Sequence, residues 1–212
     1  MAGALRFLKI TNRFLGGIQI LIRHLEKFSR AWRREVTIRI LDAGCGLGDM
    51  SLAILDWAKR KSFSVEITAV EMIPAIARLA RNYAEGNPRL KIIEENVLNG
   101  HSLQGTFDYV VANLFLHHIP QDRQVEALKK LDRLACRGMI LSDLERTRAG
   151  FYAVSFLSYL IGNKVVRHDG PLSVRLSFTL SELEALAKTG GLQYLRAEKQ
   201  SFFRLSLAGE KL

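Results

Sequence analysis

The stretch IRILDAGCGLGDM (residues 38–50) joins an apolar run to three alternating glycines. Its first half, rich in isoleucine and leucine, is typical of a buried β-strand, and this strand ends at the acid Asp42. Because glycine has no side chain, a turn built from it lets a ligand approach the main chain closely. The stretch therefore predicts a strand, a ligand-binding turn and the start of a helix.

Strands and helices alternate along the chain on either side of this turn. Further strands are predicted at 65–70, 90–93, 107–112 and 137–143, and helices at about 49–60, 73–84 and 121–134. Strands separated by helices need crossover connections, which produce a mostly parallel sheet with helices on both faces. Two final runs, residues 192–198 and 202–208, predict an antiparallel C-terminal strand pair at the sheet edge. The predicted fold is α/β, a Rossmann-like doubly wound sheet.

The N-terminal segment precedes this alternation and reads as an amphipathic helix. Residues 12–32 carry apolar side chains at helical spacing, and Asn12 is a candidate N-cap. We therefore predict a helical cap over residues 1–35 and a ligand-binding domain over residues 36–212.

The regular alternation of predicted strands and helices stops after residue 144. An insertion at about 145–178 is predicted to cover the substrate, and it contains an aromatic-rich stretch followed by a polar loop at 162–178. Thr179 and Glu182 then predict a capping box at the start of the next helix.

The spacing of the glycines limits which ligand the turn can hold. Dinucleotide-binding turns read G-x-G-x-x-G, and counted from Gly44 the third of these positions is Asp49, whose charge is unfavourable beside a pyrophosphate. Asp49 is instead suited to cap the following helix. The second strand ends at Glu71, 23 residues after Gly48, where a carboxylate can accept both hydroxyls of a ribose. These features favour a nucleoside with an ammonium group and disfavour an NAD-dependent reductase.

The chain resembles the class I S-adenosylmethionine-dependent methyltransferases. LDAGCGLGD (41–49) is similar to the first motif of that family and AVEM (69–72) to the second. ENVL (95–98) lies at the place of the third motif, and FDYVVANLFLHHI (107–119) resembles the fourth. The resemblance implies S-adenosyl-L-methionine as cofactor and S-adenosyl-L-homocysteine as product.

The resemblance also implies roles for individual residues. Asp42 would help hold the methionine ammonium, Glu71 would bind the ribose, and Asn96 would bind the adenine amino group. Position 96 is often an acid in this family, so weaker discrimination is expected from the amide oxygen. The other implied cofactor contacts are Gly44, Cys45, Gly46 and Gly48 beneath the cofactor, Met72 and Val97 at the adenine, and Asn113 beside the transferring methyl group.

The tail of the chain carries a closer resemblance. SDLERTRAGFYAVSFLSYL (142–160) and RHDGPLSVRLSFTLSEL (167–183) are similar to a bacterial subgroup associated with polyketide, phenol or quinone tailoring. This implies methyl transfer to an oxygen, with carbon as the second candidate, of a small hydrophobic aromatic, polyketide or quinone-like acceptor.

Three residues are predicted to assist the chemistry. A phenol acceptor gains ~10²- to 10⁴-fold from a base that removes its proton. His118 is predicted as that base, with anchoring of the cofactor loop as the alternative, whereas His117 is expected to point away. His168, next to Asp169, is a second candidate base, and Arg175 is predicted to bind an anionic or enolate substrate oxygen, with pairing to Asp169 as the alternative. No metal-binding motif is recognised.

The positive charge of the chain is compatible with several classes of binding partner. The formal net charge is +10, and residues 1–39 hold nine Lys or Arg against two Glu. Such a segment suits nucleic acid, anionic lipid or an acidic substrate, and is also typical of the polar face of a surface helix. Nucleic acid is disfavoured because an added RNA-binding domain is absent from the pattern, and peripheral membrane contact through the basic N-terminal helix stays open.

Two alternatives to a small-molecule methyltransferase remain: an RNA or protein methyltransferase, and a nonenzymatic partner that binds S-adenosylmethionine. The two cysteines and the charges that interrupt the N-terminal apolar residues predict a cytoplasmic protein. The sequence leaves the oligomeric state open.

Overall fold

The computed structural model describes residues 16–100, 103, 106–161 and 164–211. Within these ranges the strands are β1 (Ile38–Ala43), β2 (Val65–Glu71), β3 (Leu90–Glu94), β4 (Phe107–Asn113), β5 (Ala135–Leu144), β6 (Arg196–Gln200) and β7 (Arg204–Glu210). The α-helices are α1 (Gly17–Phe28), α2 (Asp49–Arg60), α3 (Pro74–Tyr83), α4 (Gln124–Leu134), α5 (Arg148–Ile161), α6 (Lys164–Leu176) and α7 (Leu180–Thr189).

The strands form a single sheet in the order β3-β2-β1-β4-β5-β7-β6. Strands β1 to β5 pair in parallel, whereas β7 pairs antiparallel with both β5 and β6. The predicted doubly wound sheet with an antiparallel C-terminal pair is therefore confirmed. The chain turns outward in opposite directions from β1 and β4, and in such sheets the crevice between those strand ends is where ligands bind.

Both faces of the sheet are covered, which explains the apolar runs of its strands. In β1, Ile38 and Ile40 join one core cluster with α1 and α2, whereas Leu41 and Ala43 join the opposite cluster with α4 and α7. Parallel strands buried on both sides need apolar residues at consecutive positions. The carboxyl end of β1 is therefore held firmly from two sides.

The N-terminal helix is shorter than the predicted 12–32, since within the described residues it spans Gly17–Phe28. Helix α1 starts after Gly16, which has a φ of 82°, and the chain continues into a 3₁₀ turn at Ser29–Ala31. Asn12, the predicted N-cap, lies outside the described residues. Trp32 fixes the end of this segment, because its Nε1 donates to the Tyr109 hydroxyl on β4 at 2.9 Å.

The predicted polar loop at 162–178 is wrong, since Lys164–Leu176 forms α6. The Asp-Gly-Pro sequence favours a turn, yet Pro171 lies inside this helix. Val166 and Val174 are buried on one face, and Gly170 packs so closely on α5 that a Cβ would come within 2.5 Å of the Ser158 Oγ. Packing of α6 against α5 thus overrides the local turn preference.

Of three further element ends, one agrees with the prediction and two differ from it. The predicted capping box is confirmed, because Thr179 and Glu182 bond reciprocally at the start of α7. Asp49 does not cap α2; Gly48 holds the N-cap position and Asp49 is the first helical residue. Strand β7 begins at Arg204 because Phe202 and Phe203 take positive φ angles of 61° and 54° and form the preceding turn.

Candidate cofactor and active site

The glycine turn after β1 meets different surroundings at each glycine. Gly44 and Gly46 have φ angles of 71° and 56°, which side chains on L-residues disfavour. A Cβ at Gly44 would lie 2.6 Å from the Cδ2 of Phe115, whereas a Cβ at Gly46 would meet no atom within 4 Å. Gly44 therefore accommodates a protein side chain, and Gly46 faces open space above the strand ends.

Glu71 connects the turn to the end of β2. Its Oε2 accepts from the Gly46 amide at 3.1 Å, and its Oε1 accepts from the Ile73 amide at 2.9 Å. Each oxygen keeps a further lone pair, because a carboxylate offers about four acceptor sites. Glu71 thus holds the turn in place and can still accept hydroxyl groups from a ligand.

Asp42 places a buried carboxylate at the end of β1. Only 2% of its surface is exposed, and its Oδ2 accepts from the Ser51 hydroxyl at 2.6 Å. Burial raises the pKa of Asp42 to about 7, although the bond from Ser51 opposes this shift. A ligand ammonium next to this carboxylate would favour its charged form.

These residues open into one cavity of about 500 Å³ at the carboxyl ends of β1, β2 and β4. The predicted cofactor residues that line it are Asp42, Gly44, Cys45, Gly46, Glu71, Met72, Asn96, Val97 and Asn113. Gly48 does not line it. Among the described residues, no group of three or more His, Cys, Asp or Glu is arranged to hold a metal ion.

The residues predicted to meet an adenine line the cavity just after strands β2 and β3. Met72 is 64% exposed and Val97 is buried, and both line the cavity. The Oδ1 of Asn96 accepts from the Leu98 amide at 2.9 Å, so one of its two lone pairs is already used. The remaining lone pair can accept from one amino group.

A buried histidine–aspartate pair lies at the cavity, and it was not predicted from the sequence. His117 Nδ1 is 2.6 Å from Asp143 Oδ1, and the His117 amide donates to Asp143 Oδ2 at 3.2 Å. Because a carboxylate only accepts, Nδ1 carries the proton and Nε2 is the free acceptor. Within the described part of the chain, the buried Nε2 has no hydrogen-bond partner. The sequence expected His117 to point away from the crevice, but His117 lines the cavity.

His118 also lines the cavity, on the exposed side of His117. The two rings lie 4.0 Å apart between centroids, tilted by 40°. Desolvation by its surroundings, and then the neighbouring His117, lower the pKa of His118. A neutral imidazole is therefore favoured at the cavity mouth.

The other two predicted catalytic residues lie away from the cavity. The His168 side chain is 78% exposed, and its Nδ1 lies 3.1 Å from Asp169 Oδ1. The Arg175 guanidinium sits over the Phe151 ring at 5.8 Å from its centroid. Of the residues around them, Asp169 lines the cavity, whereas His168 and Arg175 do not.

Arg204 is a second cavity residue that sequence analysis missed. It is 1% exposed, and its Nη1 donates to the Asn113 Oδ1 at 3.0 Å. Burial lowers the pKa of Arg204 to about 10. The only sequence signal was a charged residue within the largely apolar run at 202–208.

Comparison with known proteins agrees with this architecture. Residues 40–138 match a family model described as a methyltransferase domain. No curated protein matches the sequence.

No described helix is long and apolar enough to cross a membrane.

Several solved methyltransferase structures share the fold at low sequence identity. Magnesium protoporphyrin IX methyltransferase (ChlM) from Synechocystis PCC 6803, with bound SAH, is 15% identical with a TM-score of 0.63; the match covers 93% of this chain and 84% of that chain. The plantazolicin methyltransferase BpumL, in complex with a triazolic desmethylPZN analog and SAH, is 13% identical with a TM-score of 0.72, covering 99% and 90%. The citrinin polyketide synthase CMeT domain is 15% identical with a TM-score of 0.66, covering 88% and 49%.

The sequence match spans the glycine turn, Glu71 and the two histidines, which are the parts of the chain that shape the cavity. Residues 40–138 therefore match a methyltransferase domain, and the chain shares the fold of methyltransferases solved with bound SAM or SAH.

Proposed function

We propose that the enzyme methylates an oxygen of a small hydrophobic aromatic, polyketide or quinone-like acceptor, with an acidic carbon as the second candidate. The observation that carries this proposal is the His117–Asp143 pair at the cavity, with no described residue as hydrogen-bond partner of the His117 Nε2. Methyl transfer to a hydroxyl or to an acidic carbon needs removal of a proton, and an oriented imidazole is suited to accept it.

The cavity fits the cofactor in three respects. Gly46 leaves room for an atom that a Cβ would displace, Asp42 supplies a buried carboxylate for the methionine ammonium, and Glu71 offers lone pairs to the ribose hydroxyls. We assign the adenine to the side of Asn96 and Met72. Bound S-adenosylmethionine supplies a methyl group activated by the sulfonium and leaves as a neutral thioether.

In this proposal, His117 and its neighbours Asp143 and His118 would position and deprotonate the acceptor. His117 Nε2 would accept the proton of the acceptor hydroxyl, and this proton would then pass to solvent. Asp143 holds the Nδ1 proton and stabilises the imidazolium that forms. The His118 ring lies 4.0 Å from the His117 ring between centroids, where it would limit the access of water to the pair.

The helices of the insertion support an apolar acceptor. Val154 and Leu157 of α5 and Val166 of α6 line the cavity together with Phe115 and Leu144. We propose that residues 145–178 cover the acceptor and that these side chains exclude polar substrates. The catalytic roles of His118, His168 and Arg175 stay predictions.

A calorimetric titration followed by an acceptor screen tests this function. The protein is titrated with S-adenosylmethionine and S-adenosylhomocysteine, then assayed with phenols, quinols and β-dicarbonyl compounds. His117→Ala is expected to lower turnover ~10²- to 10⁴-fold while leaving S-adenosylhomocysteine affinity unchanged. His168→Ala, whose imidazole lies outside the cavity, is the matched comparison. Turnover of His117→Ala equal to wild type would disprove His117 as the base.

The partners suggested by charge are tested separately. We propose that exposed basic residues of α1, such as Arg23 and Lys27, contact anionic membranes when the acceptor is lipophilic. Sedimentation with vesicles containing phosphatidylserine measures this contact, and vesicles of phosphatidylcholine alone are the control. An RNA methyltransferase would instead show RNA affinity that falls steeply with salt.

A further inference from the structure

Arg204 brings a buried positive charge to the floor of the cavity. It lies at the start of β7, paired with Leu144 of β5, and its side chain reaches across to Asn113 at the end of β4. This guanidinium is 1% exposed and lines the cavity. Its position follows from the sheet order, because β7 lies beside β5 and the end of β5 lies beside β4.

Among the residues that the structure describes, no ion pair balances the charge of Arg204. Within the part of the chain that the structure describes, no carboxylate pairs with this guanidinium, and its Nε has no hydrogen-bond partner. Residues 1–15 contain no Asp or Glu. Asp143 is the carboxylate that acts on Arg204 through space, but its oxygens already accept from His117 and Leu144. Buried charges in proteins are normally paired, so this one indicates an anionic ligand.

The surroundings of Arg204 strengthen its attraction for an anion. Helix α1 begins directly above it, and a Cβ added at Gly17 would lie 3.2 Å from Asn113 Oδ1 and 3.3 Å from Arg204 Nη1. The N-terminus of a helix carries a partial positive charge, which adds to that of the guanidinium. Asn113 holds the guanidinium on the cavity side through Nη1.

We propose that Arg204, positioned by Asn113 and the start of α1, forms a subsite for an oxyanion of a bound molecule. This inference rests on the proposed function, because it places the anion next to the cofactor crevice. Two molecules can supply the oxyanion: the cofactor through its carboxylate, or the acceptor through its phenolate or enolate oxygen. A guanidinium suits either, since it presents several donors in one plane.

The first experiment tests the carboxylate of the cofactor. Calorimetry compares S-adenosylhomocysteine with its decarboxylated analogue, 5′-deoxy-5′-(3-aminopropylthio)adenosine, which keeps the ammonium group. If the carboxylate occupies the subsite, Arg204→Gln weakens S-adenosylhomocysteine binding by about 10- to 100-fold and leaves the analogue unchanged. Arg204→Lys is expected to fall between them, because it keeps the charge and loses the planar donors. Arg196→Gln, an exposed arginine on β6, is the control.

The second experiment tests an acceptor oxyanion with 4-nitrophenol, whose phenolate absorbs visible light. If the phenolate occupies the subsite, wild-type protein with S-adenosylhomocysteine shifts the ionisation of bound 4-nitrophenol to lower pH. Arg204→Gln abolishes this shift. Either result supports the subsite and identifies which molecule supplies the oxyanion.

Null results in both experiments would overturn the inference. Should Arg204→Gln fail to fold, wild-type protein decides: equal affinity for S-adenosylhomocysteine and its decarboxylated analogue, with no nitrophenol shift, refutes the subsite. Wild-type protein that binds no S-adenosylhomocysteine would instead overturn the proposed function, and the nitrophenol titration without it still tests Arg204.

Discussion

Replacing single glycines of the turn by alanine separates the two contacts that the structure assigns to it. Each Ala must adopt a positive φ, which costs roughly 1–2 kcal/mol for an L-residue. Gly86→Ala measures this cost alone, because Gly86 has a φ of 81°, meets no atom within 4 Å of an added Cβ and lies outside the cavity. We expect its unfolding free energy to fall by about 1–2 kcal/mol and its affinity for S-adenosylhomocysteine to stay unchanged.

Gly44→Ala adds a collision to the same backbone cost. Its Cβ would lie 2.6 Å from a ring carbon of Phe115, so the ring must move within a packed wall. Overpacking of this kind costs typically 1–3 kcal/mol, which brings the expected loss of unfolding free energy to about 2–5 kcal/mol. Urea denaturation measures the difference from Gly86→Ala, and equal losses would refute the Phe115 contact.

Gly46→Ala is expected to change the affinity for S-adenosylhomocysteine, whereas Gly44→Ala is expected to change the stability of the fold. Its Cβ meets no protein atom, so we expect the stability loss of Gly86→Ala and no more. The methyl group would project into the space assigned to the cofactor, and we expect S-adenosylhomocysteine affinity to fall by about tenfold or more. Calorimetry measures this affinity. Binding within twofold of the Gly86→Ala control would refute the assignment of the open space to the cofactor.

Three further predictions concern the carboxylates of the site. Asp143→Asn removes the negative charge and one of the two acceptor oxygens that hold His117, so turnover should fall at least tenfold while S-adenosylhomocysteine affinity is unchanged; unchanged turnover in a steady-state assay would rule out this orienting role. Glu71→Ala should weaken S-adenosylhomocysteine more than tenfold in calorimetry, and wild-type affinity would contradict the ribose assignment. Because burial raises the pKa of Asp42 to about 7, this carboxyl becomes neutral as the pH falls through that value. S-adenosylhomocysteine affinity should therefore fall below about pH 7, whereas 5′-methylthioadenosine, which lacks the ammonium, should bind equally across this range; parallel pH profiles would contradict the ion pair. In the ligand-free protein the same raised pKa makes the contribution of Asp42 to stability decrease as the pH rises from 3.8 to about 7.

Features set by neighbouring residues could be predicted from the sequence. The strand, the turn and the following helix at residues 38–50 depend on local apolar pattern and on glycine, and the structure confirms all three. The capping box of Thr179 and Glu182 involves residues only three positions apart. The alternation of strands and helices fixed the parallel sheet, because crossover connections permit few other arrangements.

Features set by distant residues needed the tertiary structure. His117 meets Asp143 across 26 positions, and Arg204 meets Asn113 across 91, so neither pair leaves a local pattern. Residues 164–176 are helical although they contain Pro171, because burial of Val166 and Val174 outweighs a turn preference that acts only locally. The sequence by itself thus determined the sheet and the cofactor crevice through short-range rules. Only the packed fold decided that His117 pairs with Asp143 at the cavity and where the buried Arg204 lies, since both depend on contacts between residues that are distant in the sequence.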